Sequence, residues 1–173
     1  MRKSRQIIAY LGVSIDGRIA GMGHDIDWLL DYDRYEFGFA EFLANVDTLI
    51  AGRTTFEIIR HDWAYGDRRC VVITRTPLDK DAPPSCVAVL SPGEAVAEAR
   101  RLARKNIWVV GGGLTIGGLL DLDAIDRLEI AVVPVVVGSG PALAEGNAVH
   151  KGWKLTALKQ QSNCILYTYQ RDR

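Results

Sequence analysis

Short apolar runs alternate with amphipathic segments along most of the chain. Runs of strand length lie near residues 6–13, 48–51, 70–74, 87–90, 107–110, 127–133, 153–161 and 164–170. Because helical segments separate most of the early runs, the pattern predicts an α/β fold with crossover helices. Only Ser162 and Asn163 separate the last two runs, which predicts an antiparallel hairpin. We therefore expect a central mixed sheet, mostly parallel, with an antiparallel C-terminal hairpin and helices flanking the sheet.

Two helices have clear sequence signals. Ser91 supplies an N-cap, Pro92 occupies the first helical position and Glu94 completes a capping box. A second helix is predicted over residues 31–43, because aromatic residues recur along one side of it at helical spacing. Acidic residues lie in its first turn, where the helix dipole favours them.

Composition narrows the range of functions. The 173 residues suit one domain, residues 1–173, with a single sizeable core. Lys+Arg and Asp+Glu both count 21, so the net charge is zero and no basic field favours a nucleic-acid partner or a membrane surface. The longest wholly apolar run, residues 130–137, is far shorter than the roughly 20 residues of a membrane-spanning helix. That run could support a homodimer contact or be a buried core strand.

Cysteine and histidine usage gives no sign of a metal site. Cys70, Cys86 and Cys164 are odd in number and scattered, so they fit neither a disulfide framework nor a CxxC motif. The three histidines are equally dispersed. We expect a reducing, cytoplasmic location and no bound metal.

The segment 107–120 places a strand before Gly111, Gly112 and Gly113 and an apolar helix after them. Glycine leaves no Cβ between the backbone amides and a ligand, and a helix start offers free N–H groups and a positive dipole end. These features predict a pyrophosphate site, with a tight turn that binds nothing as the alternative. The turn is not the usual dinucleotide fingerprint, because Ile116 occupies the third glycine position, and no P-loop lysine follows.

Two other strand ends carry hydroxyls and guanidinium groups. Arginine can bind phosphate oxygens through two parallel hydrogen bonds, so these positions predict contacts to an adenosine phosphate. Taken alone, each arginine is more commonly a solvated surface residue. The residues are Gly52, Arg53, Thr54 and Thr55 after the second run and Thr74 and Arg75 at the end of the third.

The ordered combination of motifs resembles the dihydrofolate reductase superfamily over nearly the whole chain. The motifs are Ser-Ile-Asp-Gly-Arg-Ile-Ala at 14–20, Gly-Arg-Thr-Thr-Phe-Glu at 52–57, Val-Ile-Thr-Arg at 72–75, Val-Val-Gly-Gly-Gly at 109–113 and the closing hairpin. The resemblance implies a three-layer dihydrofolate reductase-like fold and NADPH as the cofactor. On it, the cofactor site includes Ala20, Leu114, Thr115 and Ile116 beside the residues named above.

Two branches of this superfamily are similar to different parts of the chain. The 14–20 loop and the segment 133–140 look like the reductase domain of riboflavin biosynthesis, which reduces a ribosylamino-pyrimidine phosphate with NADPH. Asp27-Trp28, followed by Asp33 and Phe37, looks like folate-type reductases. That likeness implies that Asp33 binds the substrate ring and assists its protonation, and that Phe37 packs on the ring.

The chain also departs from the folate-type pattern. Dihydrofolate reductases commonly have arginine directly after the glycine triplet and an aromatic residue two positions further on, where this chain has Leu114 and Ile116. Arg68 or Arg69 would have to serve a folate glutamyl tail. The chain carries no deaminase half with zinc ligands.

The sequence thus predicts an NADPH-dependent reductase that acts on a small pyrimidine- or pterin-type substrate. The activity it most resembles is that of 5-amino-6-(5-phosphoribosylamino)uracil reductase. Dihydrofolate reductase activity and a nucleotide-binding protein without turnover are the alternatives. Asp33 is the candidate catalytic acid, or else a solvated first-turn residue, and Ser14 could face the substrate.

Overall fold

The computed structural model describes residues 5–32, 37–146 and 152–172. Its strands are β1 (Ile7–Val13), β2 (Val46–Gly52), β3 (Arg69–Ile73), β4 (Cys86–Val89), β5 (Asn106–Gly111), β6 (Arg127–Val132), β7 (Trp153–Gln161) and β8 (Cys164–Arg171). Its α-helices are α1 (Asp27–Leu30), α2 (Phe39–Ala44), α3 (Arg53–Arg60), α4 (Pro92–Leu102) and α5 (Gly113–Asp121).

The strands form one sheet in the order β4-β3-β2-β5-β1-β6-β8-β7. Strands β1 to β6 pair in parallel, and β8 runs antiparallel between β6 and β7. The predicted mixed sheet and closing hairpin are confirmed. The parallel strands bring their carboxyl ends to one edge of the sheet, which is where ligands bind in open α/β sheets.

Each face of the sheet carries its own apolar core. Alternate residues of β1 point to opposite sides, so Ile8 and Tyr10 join one cluster while Ile7 and Ala9 join the other. The first cluster holds aromatic residues of α2 and α3, and the second packs against α4 and α5. Burial on both faces explains why β1 is apolar almost throughout.

The capping signals of α4 are confirmed. Ser91 precedes the helix with an extended backbone, and its hydroxyl accepts a hydrogen bond from the Glu94 amide at 3.2 Å. The Glu94 carboxylate accepts one from the Leu90 amide at 3.0 Å. A cap of this kind stabilises a helix by about 1 kcal/mol.

The prediction of one continuous helix over residues 31–43 is wrong. The structure has the short helix α1 before this range and α2 only from Phe39 onward, and residues 33–36 lie outside the described part of the chain. Gly38 precedes α2 in a left-handed conformation with φ of 78°, which a continuous right-handed helix cannot contain. The aromatic spacing reflected the packing of α2 on the core, where Phe39 and Phe42 are buried.

Candidate active-site cleft

A cleft of about 970 Å³ opens at the carboxyl edge of the sheet. The ends of β1, β2, β5 and β6 form its floor, through residues such as Gly12, Gly52, Gly111 and Ala131. The volume lies at the upper end of the range for small-molecule and cofactor sites. The sheet therefore places a ligand-sized space where the sequence predicted one.

Two helix starts meet on one wall of this cleft. Strands β2 and β5 are neighbours, with Ala51 opposite Gly111, and each runs directly into a helix, α3 and α5. The N-cap residues are Gly52 and Gly112, and neither helix has a side-chain cap. The amides of both first turns therefore have no side-chain acceptor at the cap, which suits them to an anionic ligand.

Close packing holds the two helix starts together. A Cβ on Gly52 would lie 2.6 Å from Thr115 Oγ1, and a Cβ on Gly112 would lie 3.5 Å from Thr55 Oγ1. Gly111 has φ of 134°, a conformation that side chains rarely adopt, and the Gly111–Gly112 peptide bond is cis. Glycine at these positions lets two helix N-termini and two threonine hydroxyls share one small region. That is a suitable cradle for a pyrophosphate.

The structure brings together most of the cofactor residues that the sequence nominated. They line the same cleft and come from three separate parts of the chain. The group is Ala20, Gly52, Arg53, Thr54, Thr55, Gly111, Gly112, Gly113, Leu114 and Thr115.

Three nominated cofactor residues do not line the cleft. Ile116 is fully buried in the core beneath α5, because its position in the first turn points away from the cleft. Thr74 is buried, and its hydroxyl donates to Thr76 O at 3.0 Å. Arg75 is exposed at the end of β3. A role for Arg75 in binding the cofactor stays a prediction.

Arg53 lies at the cleft but already has protein partners. Its Nε is 2.6 Å from a Glu57 carboxylate oxygen, one turn further along α3, and its Nη1 donates to Pro77 O at 2.9 Å and to Thr76 Oγ1 at 3.2 Å. These contacts tie the start of α3 to the segment after β3. They also hold the guanidinium in a fixed position beside the helix start.

Aromatic side chains also line the cleft. Phe37 is among them, as predicted, together with Tyr10, Tyr65 and Trp108. Tyr65 packs edge-on against Trp108 with ring centroids 5.5 Å apart, and Trp108 Nε1 donates to Tyr10 O at 3.0 Å. Such an array suits a flat, ring-shaped ligand.

Two of the predicted substrate residues need separate comment. Asp33, the candidate catalytic acid, lies outside the described residues. Ser14 is 1% exposed and does not line the cleft. Its hydroxyl donates to Asp16 Oδ1 at 2.7 Å and accepts from the Arg18 amide at 2.9 Å, so it stabilises its own loop.

Asp16 joins that loop to the segment after β6. Its carboxylate accepts hydrogen bonds from the amides of Val137 at 3.0 Å and Gly138 at 2.8 Å. The hydrogen bond from Val137 and then the one from Ser14, with a smaller contribution from Gly138, lower the pKa of Asp16 to about 2. Ile19 donates its amide to Pro141 O at 3.0 Å, which fixes the loop along the cleft near Ala20.

Several lining residues had not been singled out from the sequence. Tyr65 and Trp108 are buried aromatics, and the signal that could have found Trp108 is its place in β5, three residues before Gly111. Asp31 and Glu145 add two carboxylates to the lining. Their positions depend on loops, and no local pattern marks them.

Neither a membrane span nor a metal cluster is evident in the described chain. No helix in residues 5–32, 37–146 and 152–172 combines the length and apolarity that crossing a bilayer requires. In the same residues, no three or more His, Cys, Asp or Glu side chains group as metal ligands would.

The chain is similar to several known proteins. It is 32% identical to the uncharacterized protein YwjB of Bacillus subtilis, over 96% of this chain and 98% of that one. Its fold matches a "Putative riboflavin biosynthesis protein" from Shewanella sp. PV-4 with a TM-score of 0.81 and 24% identity, over 97% and 99% of the two chains. It also matches dihydrofolate reductase from Enterococcus faecalis, solved with NADP(H), with a TM-score of 0.72 and 18% identity, over 97% of each chain.

A family model describes nearly the whole chain. The model of the RibD C-terminal domain matches residues 5–167, which include every strand of the parallel sheet, both glycine-capped helix starts and the closing hairpin as far as β8. The fold is that of the dihydrofolate reductase-like proteins, as the sequence motifs implied. The protein belongs to the RibD C-terminal domain family.

Proposed function

We propose that this protein is an NADPH-dependent reductase that acts on a pyrimidine- or pterin-type ring. The observation that carries the proposal is the pair of glycine-capped helix starts, held together where Gly52 meets Thr115 at the edge of the sheet. Two amide-rich helix ends in one cleft match the two phosphates of a dinucleotide. The family membership and the likeness to a reductase solved with NADP(H) support the choice of cofactor.

The residues of the cleft fit such a cofactor. Its pyrophosphate would lie against the first turns of α3 and α5, within reach of the hydroxyls of Thr54 and Thr55. Arg53, in the cleft lining, and the exposed Arg75, just after β3, are the arginines that would bind the adenosine phosphate. The nicotinamide would lie toward Ala20. When bound, the reduced cofactor supplies a hydride.

The protein's own groups would align the substrate and supply the proton. Phe37 and the neighbouring aromatic residues would hold the ring flat against the cofactor, which keeps the reacting atoms close and excludes water. The hydride acceptor would be the carbon of a C=N or C=O group. Asp33 would deliver the proton, directly or through a water molecule.

Turnover tests this proposal directly. Oxidation of NADPH would be followed by its absorbance with dihydropterins and ribosylamino-pyrimidines as substrates, in the wild type and in Asp33→Asn. We expect turnover of one of these classes, and loss of about 100-fold or more in the variant, with NADPH binding retained. Saturable NADPH binding with no oxidation in any class would instead favour a nucleotide-binding protein without turnover.

A further inference from the structure

Two exposed apolar side chains lie among the lining residues of the cleft. Leu30, at the end of α1, is 68% exposed, and Ile58, on α3, is 43% exposed. Leu29 and Ile59 lie beside them in the lining. Large apolar side chains at a cleft mouth favour a ligand that covers them with apolar surface of its own.

Arg68 and Arg69, which the sequence analysis named as candidates for binding a folate glutamyl tail, form hydrogen bonds to backbone carbonyls instead. Arg68 donates from all three guanidinium nitrogens to backbone carbonyls, those of Val46 at 3.0 Å, Tyr65 at 3.0 Å and Leu43 at 2.8 Å. Arg69 donates to Leu102 O at 3.3 Å, on the far side of the sheet. Neither side chain lines the cleft.

The ionisable side chains of the described lining are few: Arg53 and His24 are the basic ones, and Asp31 and Glu145 are the acidic ones. Among the described lining residues, Arg53 is the one arginine, and it lies at the cofactor side with Glu57 against its Nε. Asp31 follows Leu30 directly in the lining and is exposed. A negatively charged tail beside these two residues would meet a like charge and apolar surface, both of which oppose its binding.

We propose that the substrate is a flat ring with an uncharged substituent that can pack on apolar side chains, and not a glutamyl conjugate or a ribosyl phosphate. The inference rests on the proposed function and specifies the chemical class of substrate for that same cleft. The ring would pack on the aromatic side chains, and its substituent would cover Leu30 and Ile58. Asp31 would select against carboxylate and phosphate groups.

Two matched pairs of probes test the proposal. Folate and folate dimethyl ester differ by two negative charges and two methyl groups, and 5-aminouridine 5′-phosphate and 5-aminouridine differ by one phosphate. Binding would be measured by titration calorimetry with NADPH present, after NADPH binding alone has been recorded. Loss of NADPH binding would count against the proposed function, whereas the ranking of the probes tests the substrate class alone.

We expect one or both pairs to bind and the neutral member to bind at least as tightly as the anionic one. Asp31→Asn should tighten the anionic member by about threefold, the size expected for one solvated charge. Asp121→Asn, an exposed change at the far end of α5, is the matched control and should alter neither affinity.

Tighter binding of an anionic member would overturn the proposal. Arg34→Ala would then show whether that guanidinium, outside the described residues, holds the anion. Failure of all four probes to bind a protein that binds NADPH would overturn it as well.

Discussion

The closeness of the two helix starts depends on the missing side chain of Gly52. An alanine Cβ at this position would lie 2.6 Å from Thr115 Oγ1, well inside the roughly 3.5 Å at which non-bonded heavy atoms attract. Thr115 is 6% exposed, so its hydroxyl is confined by its neighbours. Gly52→Ala therefore forces α3 away from α5 or displaces Thr115 within packed surroundings.

The expected cost follows from overpacking. Extra methyl groups in a well-packed region cost about 1–3 kcal/mol, and we expect the free energy of unfolding of Gly52→Ala to fall by that amount. The same displacement moves the two sets of amides apart. We expect that separation to weaken NADPH binding by about tenfold, which corresponds to about 1.4 kcal/mol of binding free energy.

Urea unfolding and NADPH titration of four variants would measure both effects. Thr115→Ala removes the hydroxyl that Gly52→Ala would meet, so the double variant should be more stable than the sum of the single effects predicts. Gly93→Ala is the matched control in the first turn of α4, where the new Cβ would have only Ser91 Oγ nearby, at 4.0 Å. It should leave NADPH affinity unchanged.

Two results would refute this reasoning. One is a Gly52→Ala protein that is as stable as the wild type and binds NADPH equally well. The other is strict additivity of Gly52→Ala and Thr115→Ala, which would mean that the two positions do not interact.

Three further results are expected. Hydrogen bonding lowers the pKa of Asp16 to about 2. Its ionised form therefore stabilises the folded protein at pH values above about 4, the usual carboxyl pKa, and this stabilisation is lost as the pH falls toward 2. Urea unfolding of Asp16→Asn should lack that part of the acid dependence, and an unchanged pH profile would contradict the assignment. Cys86 should be alkylated before Cys70. The hydrogen bond between the two thiols lowers the pKa of half-buried Cys86, whereas that bond and burial raise the pKa of Cys70. Peptide mass spectrometry would show the order of labelling, and faster labelling of Cys70 would contradict the prediction. Leu114 lines the cleft in the first turn of α5 and is 72% exposed. Leu114→Arg should tighten NADPH binding by about tenfold, because an arginine there could bind phosphate oxygens. Calorimetry that shows no gain in affinity would place the pyrophosphate elsewhere.

The parts of the fold that local sequence signals describe could be predicted. Ser91 and Glu94 marked the start of α4, and the short link at Ser162 fixed the closing hairpin. The break at Gly38 was missed, because a single glycine between aromatic residues at helical spacing does not reveal that its backbone will be left-handed.

Part of the cleft lining could be predicted from glycines at strand ends, and less of it where side chains turn away. Gly52 and Gly111 each end a run of strand length in the sequence, and the sheet order places those two strands side by side. Thr74 follows β3, the next strand of the sheet, yet its hydroxyl donates to Thr76 O and the residue is absent from the lining. The contact of Tyr65 with Trp108 joins distant parts of the chain, and no pattern in one sequence pairs them.

The central claim is that the two glycine-capped helix starts hold a nicotinamide dinucleotide. Thermal or urea unfolding of the wild type with and without NADPH tests it most directly. A ligand that binds only the folded protein stabilises it by about 2.7 kcal/mol at a hundredfold excess over its Kd, and we predict a stabilisation of that size with NADPH. A protein whose unfolding curve is the same with and without NADPH and NADH would contradict the account.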